Sequence, residues 1–209
     1  MSFKPGSVTI RQLTVADRDS CVTVENSAFA NPDHRATPEK FSYRLTVCPE
    51  LCMGVFVRDG ESSSETLVGH IVSTRLKTHV IIDDDMDVPP SWQDSLAAAP
   101  ASATFVADVG HQPNGTTVGV HSLGVVPSAQ GKGLGTKLMT AYLEHMAQLS
   151  AAAAASPSGS GRTKVSGVAL ICQDYLIKYY EKFGYKSHGP SKAHFGGGGW
   201  TDMVYDVPQ

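Results

Sequence analysis

From Val120 to Met146 the chain reads VHSLGVVPSAQGKGLGTKLMTAYLEHM, which sets three glycines (Gly131, Gly133 and Gly135) just ahead of an apolar helical pattern. The residues before them alternate as a strand does, and Leu134, Leu138, Ala141, Tyr142 and His145 or Met146 recur at helical spacing. A helix N-terminus carries unpaired N–H groups and the positive end of the macrodipole. Glycines there let a ligand approach the backbone without Cβ atoms in the way, so the junction reads as a phosphate cradle. It is not a P-loop, because Lys132 is followed by Gly133 and no glycine stands five residues before Gly131. Nor is it a dinucleotide fingerprint, since Leu138 occupies the place of the third glycine, three residues after Gly135.

Other chemistry is excluded by composition and spacing. His34, His70, His79, His188 and His194 form no ligand pair at i, i+4, so no metal is expected. Cys21, Cys48, Cys52 and Cys172 show no paired CxxC spacing and are expected to be reduced thiols. A net charge of -3 with no Lys/Arg stripe gives no footprint for nucleic acid. Apolar runs such as VSGVALI fall far short of the roughly 20 residues that span a bilayer. The N-terminus lacks a signal-like apolar region, so a cytoplasmic protein without membrane association is expected, and with no zipper pattern a monomer.

These groups need elements to position them. With 209 residues, 41% of them hydrophobic, the chain suits one large domain or one domain with insertions. SVTIRQLT reads as a first strand, and VADRDSCVTVENSAFA as a helix with Asp17 or an adjacent residue as its candidate N-cap. Thr37-Pro38 starts a helix over PEKFSYRLTV. Strands follow at CMGVFVRD and ETLVGHIVSTRL, joined by the polar turn GESSS. The stretch from Lys77 to Gly115 holds the acidic run Asp83, Asp84, Asp85 and Asp87 and one possible short helix, but no sustained periodicity, and long segments of that kind tend to be lids. After the glycine-led helix, SAAAAASPSGSGRTK reads as alanines that extend it and then a flexible Gly/Ser link. KVSGVALICQ, DYLIKYYEKFGY and WTDMVYDV close the chain as strand, helix and strand. The order β, α, α, β, β, β, α, β, α, β is that of a mixed α/β or α+β sheet covered by helices.

Gln130-Gly131-Lys132-Gly133-Leu134-Gly135 resembles the Q/R-x-x-G-x-G pattern of the GNAT acetyltransferases, and it follows a strand as that superfamily requires. Three blocks in order, RLTVCPELCMGVFV, the 27-residue stretch above and ALICQDYLIKYYEKFGYKSHGP, are similar to the arylalkylamine N-acetyltransferases and together cover about a third of the chain. The resemblance implies a single GNAT domain over residues 1–209, with long loop insertions at about 77–115 and 150–164. Its mixed sheet would have about seven strands with helices on both faces. Acetyl-CoA would lie where two central parallel strands splay apart. Its pantetheine would pair with Leu123, Gly124 and Val125, and its pyrophosphate would meet the N–H groups from Gly131 to Thr136, with Gln130, Lys132, Gly133, Leu134 and Gly135 shaping the turn. Asp174 stands where many members use Asn to touch CoA, and Tyr180 matches the tyrosine that protonates the departing thiolate.

The implied reaction is direct acetyl transfer to the primary amine of an arylalkylamine of the tryptamine, serotonin or phenylethylamine type. Such an ammonium has a pKa well above 7, so a proton acceptor is needed. His121 matches one of two family histidines that relay this proton, and imidazole titrates in the right range. At the other position this chain has Gly119. His121 is then expected to work alone through solvent, or His111 or a loop carboxylate to substitute. By block matching Phe41, Pro49, Leu123, Ile171 and Trp200 fall on the acceptor side, where an apolar aromatic slot suits a small-molecule amine. The acidic run reads as a solvated loop, or, over the site, as a lure for di- and polyamines. A polyamine acetyltransferase is therefore the alternative. A protein acetyltransferase and a non-catalytic acetyl-CoA-binding domain stand behind it.

Overall fold

In a computed structural model, residues 7–58, 64–98, 107–156 and 163–208 are described. Seven strands form a sheet in the order β1-β2-β3-β4-β5-β7-β6. They are β1 (Ser7–Gln12), β2 (Met53–Arg58), β3 (Glu65–Leu76), β4 (Thr117–Val125), β5 (Gly167–Cys172), β6 (Lys186–Pro190) and β7 (Thr201–Asp206). The helices are α1 (Arg18–Ala28), α2 (Pro38–Val47), α3 (Asp83–Met86), α4 (Trp92–Ala98), α5 (Leu134–Ala154) and α6 (Ile177–Glu181). The chain divides into two compact units, the first reaching Val72 and including Ser122–Tyr142, the second comprising Ser73–His121 and the chain from Leu143.

In the first unit β1 and β2 pair antiparallel from Ser7↔Arg58 to Gln12↔Met53, and β2 pairs antiparallel with β3. The sequence dictates the helix starts. Thr37 caps α2 by accepting from the Lys40 amide at 3.3 Å, with Pro38 at the first helical position. Asp17 does not cap α1 in the expected way. Its carboxylate accepts from the Thr14 amide at 2.9 Å and from both terminal nitrogens of Arg11, so it closes the preceding 3-10 turn, Val15–Asp17. The unit's core gathers Leu13, Cys21, Val24, Phe41, Leu45, Phe56 and Val72.

In the second unit β4 runs parallel to β5 from Thr117↔Gly167 to Val120↔Leu170, and β7 lies antiparallel between β5 and β6. The strand β6 was not expected. Its sequence, KSHGP, carries a glycine and a proline, which suit only an edge with a register shift such as the one between Ser187 and Gly189. The segment from 77 to 115 is less irregular than its sequence suggests, since it holds α3 and α4. It is also fastened to β3, where Gln112 donates its amide to the Arg75 carbonyl at 3.0 Å and the Arg75 guanidinium binds the carbonyls of Gly115 and Thr163 at 2.7 and 2.8 Å. The alanines after Leu149 continue α5 to Ala154. Most of the GESSS turn and of the Gly/Ser link lies outside the described residues.

Candidate active site

In the first unit, the turn that carries the glycines is built from local bonds. Val126 donates its amide to the Val68 carbonyl at 2.9 Å, and a 3-10 turn at Pro127–Ala129 leads on to Gln130. Gly131 and Gly133 have φ of +72° and +75°, and a Cβ at either would meet nothing within 4 Å. Their glycine identity therefore answers to backbone conformation, while the surface before them is open. Leu134 is buried and anchors the start of α5, and Gly131, Lys132, Gly133 and Thr136 are exposed. The side chains of Gln130 and Lys132 turn back onto the chain, to the carbonyls of Val125 at 2.8 Å and Ser128 at 2.7 Å. An exposed, left-handed glycine turn leading into a 21-residue helix fits a diphosphate, which main-chain N–H groups and the helix dipole would hold.

The same unit contains a polar cluster that sequence reading missed. The Glu25 carboxylate accepts from the Ala36 amide at 2.7 Å through Oε1 and from the Ser122 hydroxyl at 2.6 Å through Oε2, and His70 Nε2 lies 3.0 Å from the same Oε2. Burial alone would raise the carboxyl's pKa. The His70 bond and charge, with the Ser122 and Ala36 donors, outweigh it and hold the group below its ordinary range. The edge of the Phe41 ring packs on His70 with centroids 5.3 Å apart. Phe41 is fully buried and belongs to the core, while Pro49 and Leu123 are half-buried. The cluster joins α1, β3 and β4 immediately beside His121 in sequence. Its members lie 45 and 97 positions apart, with no spacing that could announce them.

In the second unit, the paired register of β4 and β5 ends at Val120↔Leu170, directly before His121. His121 is half-buried, and its Nε2 lies 2.7 Å from the Thr74 hydroxyl on β3. Gly119, two residues earlier, has the Leu76 side chain against it: an added Cβ would come within 2.6 Å of Leu76 Cδ2. A side chain at 119 would therefore have to displace the Leu76 side chain. His111, the other histidine considered as the base, is buried; its Nδ1 accepts from the Arg75 amide at 3.2 Å, and burial, helped by the Arg75 charge, lowers its pKa to about 4.

Tyr180 is buried on α6, with the rings of Tyr179 and Tyr185 edge-on at 5.2 and 5.7 Å. Burial raises its phenol well above the ordinary range, reinforced by Cys172, Tyr179 and Tyr175, so it holds its proton. Asp174 accepts from the Thr201 hydroxyl at 2.8 Å. Ile171 is half-buried against a cluster that includes Leu76, Ile81, Val204 and Phe195, and half-buried Trp200 donates its indole N–H to the Phe195 carbonyl at 2.7 Å.

The acidic run is solvated only in part. Asp83 accepts from the amides of His194 and Phe195 at 2.9 and 3.0 Å. Asp85 is buried and accepts from the Ile82 amide at 2.9 Å, and burial raises its pKa to about 6. Asp84 and Asp87 are exposed. All four cysteines are buried free thiols, and burial raises Cys21 strongly and Cys172 to about 11. Among the described residues no group of His, Cys, Asp and Glu could hold a metal ion, and no helix is long and apolar enough to cross a membrane.

The chain is similar to known acetyltransferases. Residues 100–187 match the family model described as an acetyltransferase (GNAT) domain. The chain is 27% identical to the serotonin N-acetyltransferase of Mesocricetus auratus over 188 residues, 89% of this chain and 71% of that protein. Among solved structures, the loading GNATL domain of CurA from Lyngbya majuscula superposes with a TM-score of 0.61 at 16% identity, covering 97% of this chain and 98% of that one. A PaiA N-acetyltransferase from Thermoplasma acidophilum, solved with coenzyme A, gives a TM-score of 0.53 at 13% identity over 96% and 99% of the two chains.

Proposed function

We propose that this chain, an acetyl-CoA-dependent N-acetyltransferase of the GNAT superfamily, moves the acetyl group directly to the primary amine of an arylalkylamine. One observation carries the choice of acceptor: the similarity to a serotonin N-acetyltransferase extends over 89% of the chain, well beyond the glycine motif that GNAT proteins share. Fold alone would not select it, since unrelated chemistries occur on one fold.

Acetyl-CoA supplies an activated thioester, and the chain's own residues bind it and move protons. The amides from Gly131 to Thr136 receive the diphosphate, and backbone groups of Leu123, Gly124 and Val125 hold the pantetheine arm. Gln130 and Lys132 shape the turn through their carbonyl bonds. Asp174, held by Thr201, is the polar group assigned to CoA on β5's exit. Tyr180 keeps its proton at neutral pH and delivers it to the thiolate. His121, paired with Thr74, accepts the amine's proton through water. The Glu25 cluster positions β4 by binding Ser122, next in sequence to His121.

The family resemblance assigns Phe41, Pro49, Leu123, Ile171 and Trp200 to the acceptor side. The polyamine reading rested on the acidic run, and two of its carboxylates, Asp83 and Asp85, are engaged by backbone amides. The test is the initial rate of CoA release with tryptamine, phenylethylamine, spermidine and a lysine peptide, with the products identified by mass. Selective acetylation of the arylalkylamines is expected. Preference for spermidine or the peptide overturns the acceptor, and tight acetyl-CoA binding without turnover points to a sensor.

A further inference from the structure

The carboxylate of Asp202 is buried on β7, and its Oδ1 has no hydrogen-bond partner among the described residues. Its register shows what surrounds it. Asp202 lies directly opposite Ile171 on β5, and directly opposite residues of an antiparallel pair share a face of the sheet. Two positions along, Val204 pairs with Ala169, and both belong to the apolar cluster against which Ile171 and Phe195 pack. On the other side of β7 its opposite number is Gly189, which offers no side chain. Lys186, opposite Val204 on β6, is engaged by Asp206. A carboxyl group thus stands beside the apolar cluster with one oxygen unsatisfied among the described residues. Such groups are rare, because each forfeits its hydration without compensation.

We infer that Asp202 is a specificity residue whose Oδ1 accepts a hydrogen bond from a neutral donor on the acceptor's aromatic ring, a phenolic hydroxyl being the best fit. The inference rests on the arylalkylamine reading, since it uses Ile171 as an acceptor-side residue. A ring hydroxyl is favoured over a second ammonium because the side chains beside Asp202 from β5 and the cluster are apolar. Desolvating a cation there costs far more than desolvating an O–H on a ring that is itself apolar.

Tyramine and phenylethylamine differ only in the ring hydroxyl, so their ratio of kcat/KM reads this contact and cancels general damage to the fold. The wild-type protein is expected to favour tyramine by about tenfold or more, the range of a hydrogen bond to a charged group. In Asp202→Val the ratio falls to about one, and in Asp202→Asn, which keeps a neutral acceptor, it falls part of the way. A wild-type ratio near one overturns the inference without any variant, as does a ratio that both variants preserve. Spermidine turnover that exceeds both amines and collapses in Asp202→Val would assign the oxygen to a second ammonium and overturn the neutral donor. Failure to acetylate any arylalkylamine sinks the acceptor reading and this inference with it, whereas turnover of both at equal efficiency sinks this inference alone.

Discussion

Glu25 in the first unit and Asp202 in the second are both buried carboxylates, and they are used in opposite ways. Glu25 is met by a backbone amide, a serine hydroxyl and an imidazole nitrogen, so its oxygens are satisfied within the fold. Asp202 faces apolar neighbours with Oδ1 unmatched among the described residues. The contrast separates a carboxylate that fastens strands from one able to receive a ligand. It extends to the surroundings, because the second unit also holds Tyr180 with its proton retained and His121 at the end of a paired register.

The largest effect is expected at the fastening carboxylate. Glu25→Ala leaves the donors of His70, Ser122 and Ala36 buried without their acceptor and should cost about 3 to 5 kcal/mol, read by chemical denaturation. A loss below about 1 kcal/mol would break the comparison, since Glu25 would then fasten nothing. Tyr180→Phe should act on chemistry instead, lowering kcat about 100-fold while acetyl-CoA affinity changes little. A loss confined to stability would make Tyr180 a core residue like Tyr142.

Gly119 sharpens the comparison in the other direction. Gly119→His should destabilise the protein by about 1 to 3 kcal/mol, because the imidazole must displace Leu76. Adding Leu76→Ala should recover part of that loss in a double-mutant cycle, and strict additivity would show that the two positions do not compete. The smallest effect concerns Asp85, whose pKa burial raises to about 6. The folded state then holds this proton more tightly than the unfolded one. Its favourable contribution is present below the ordinary aspartate range and is lost as pH rises from about 4 through 6. The melting temperature of Asp85→Asn relative to wild type should therefore climb across that window, and a flat difference would place the carboxylate in solvent.

The parts of this architecture legible in the sequence are those made by neighbours in the chain. The cap at Thr37, the glycine turn before Leu134 and the long strand β3 each follow from a few adjacent residues. The edge strand β6 was hidden because glycine and proline argue against a strand unless the edge is known. The engagement of the acidic run was equally hidden, since Asp83 binds amides 111 and 112 positions away. The absence of a second histidine was visible at once. The neighbour that a side chain there would meet was not, because Leu76 comes from another strand. Local rules disclose turns and caps, and pairings across strands decide which charged groups are satisfied.

The proposed reaction depends most on His121, the residue assigned to take the amine's proton. The most direct measurement is the pH dependence of kcat/KM for tryptamine from pH 6 to 10, in wild type and in His121→Ala. The account predicts an acid limb in the wild-type profile that is displaced or lost in the variant, with the rate near neutrality reduced at least tenfold. An acid limb of the same position and depth in both proteins would remove His121 from the mechanism and contradict the account.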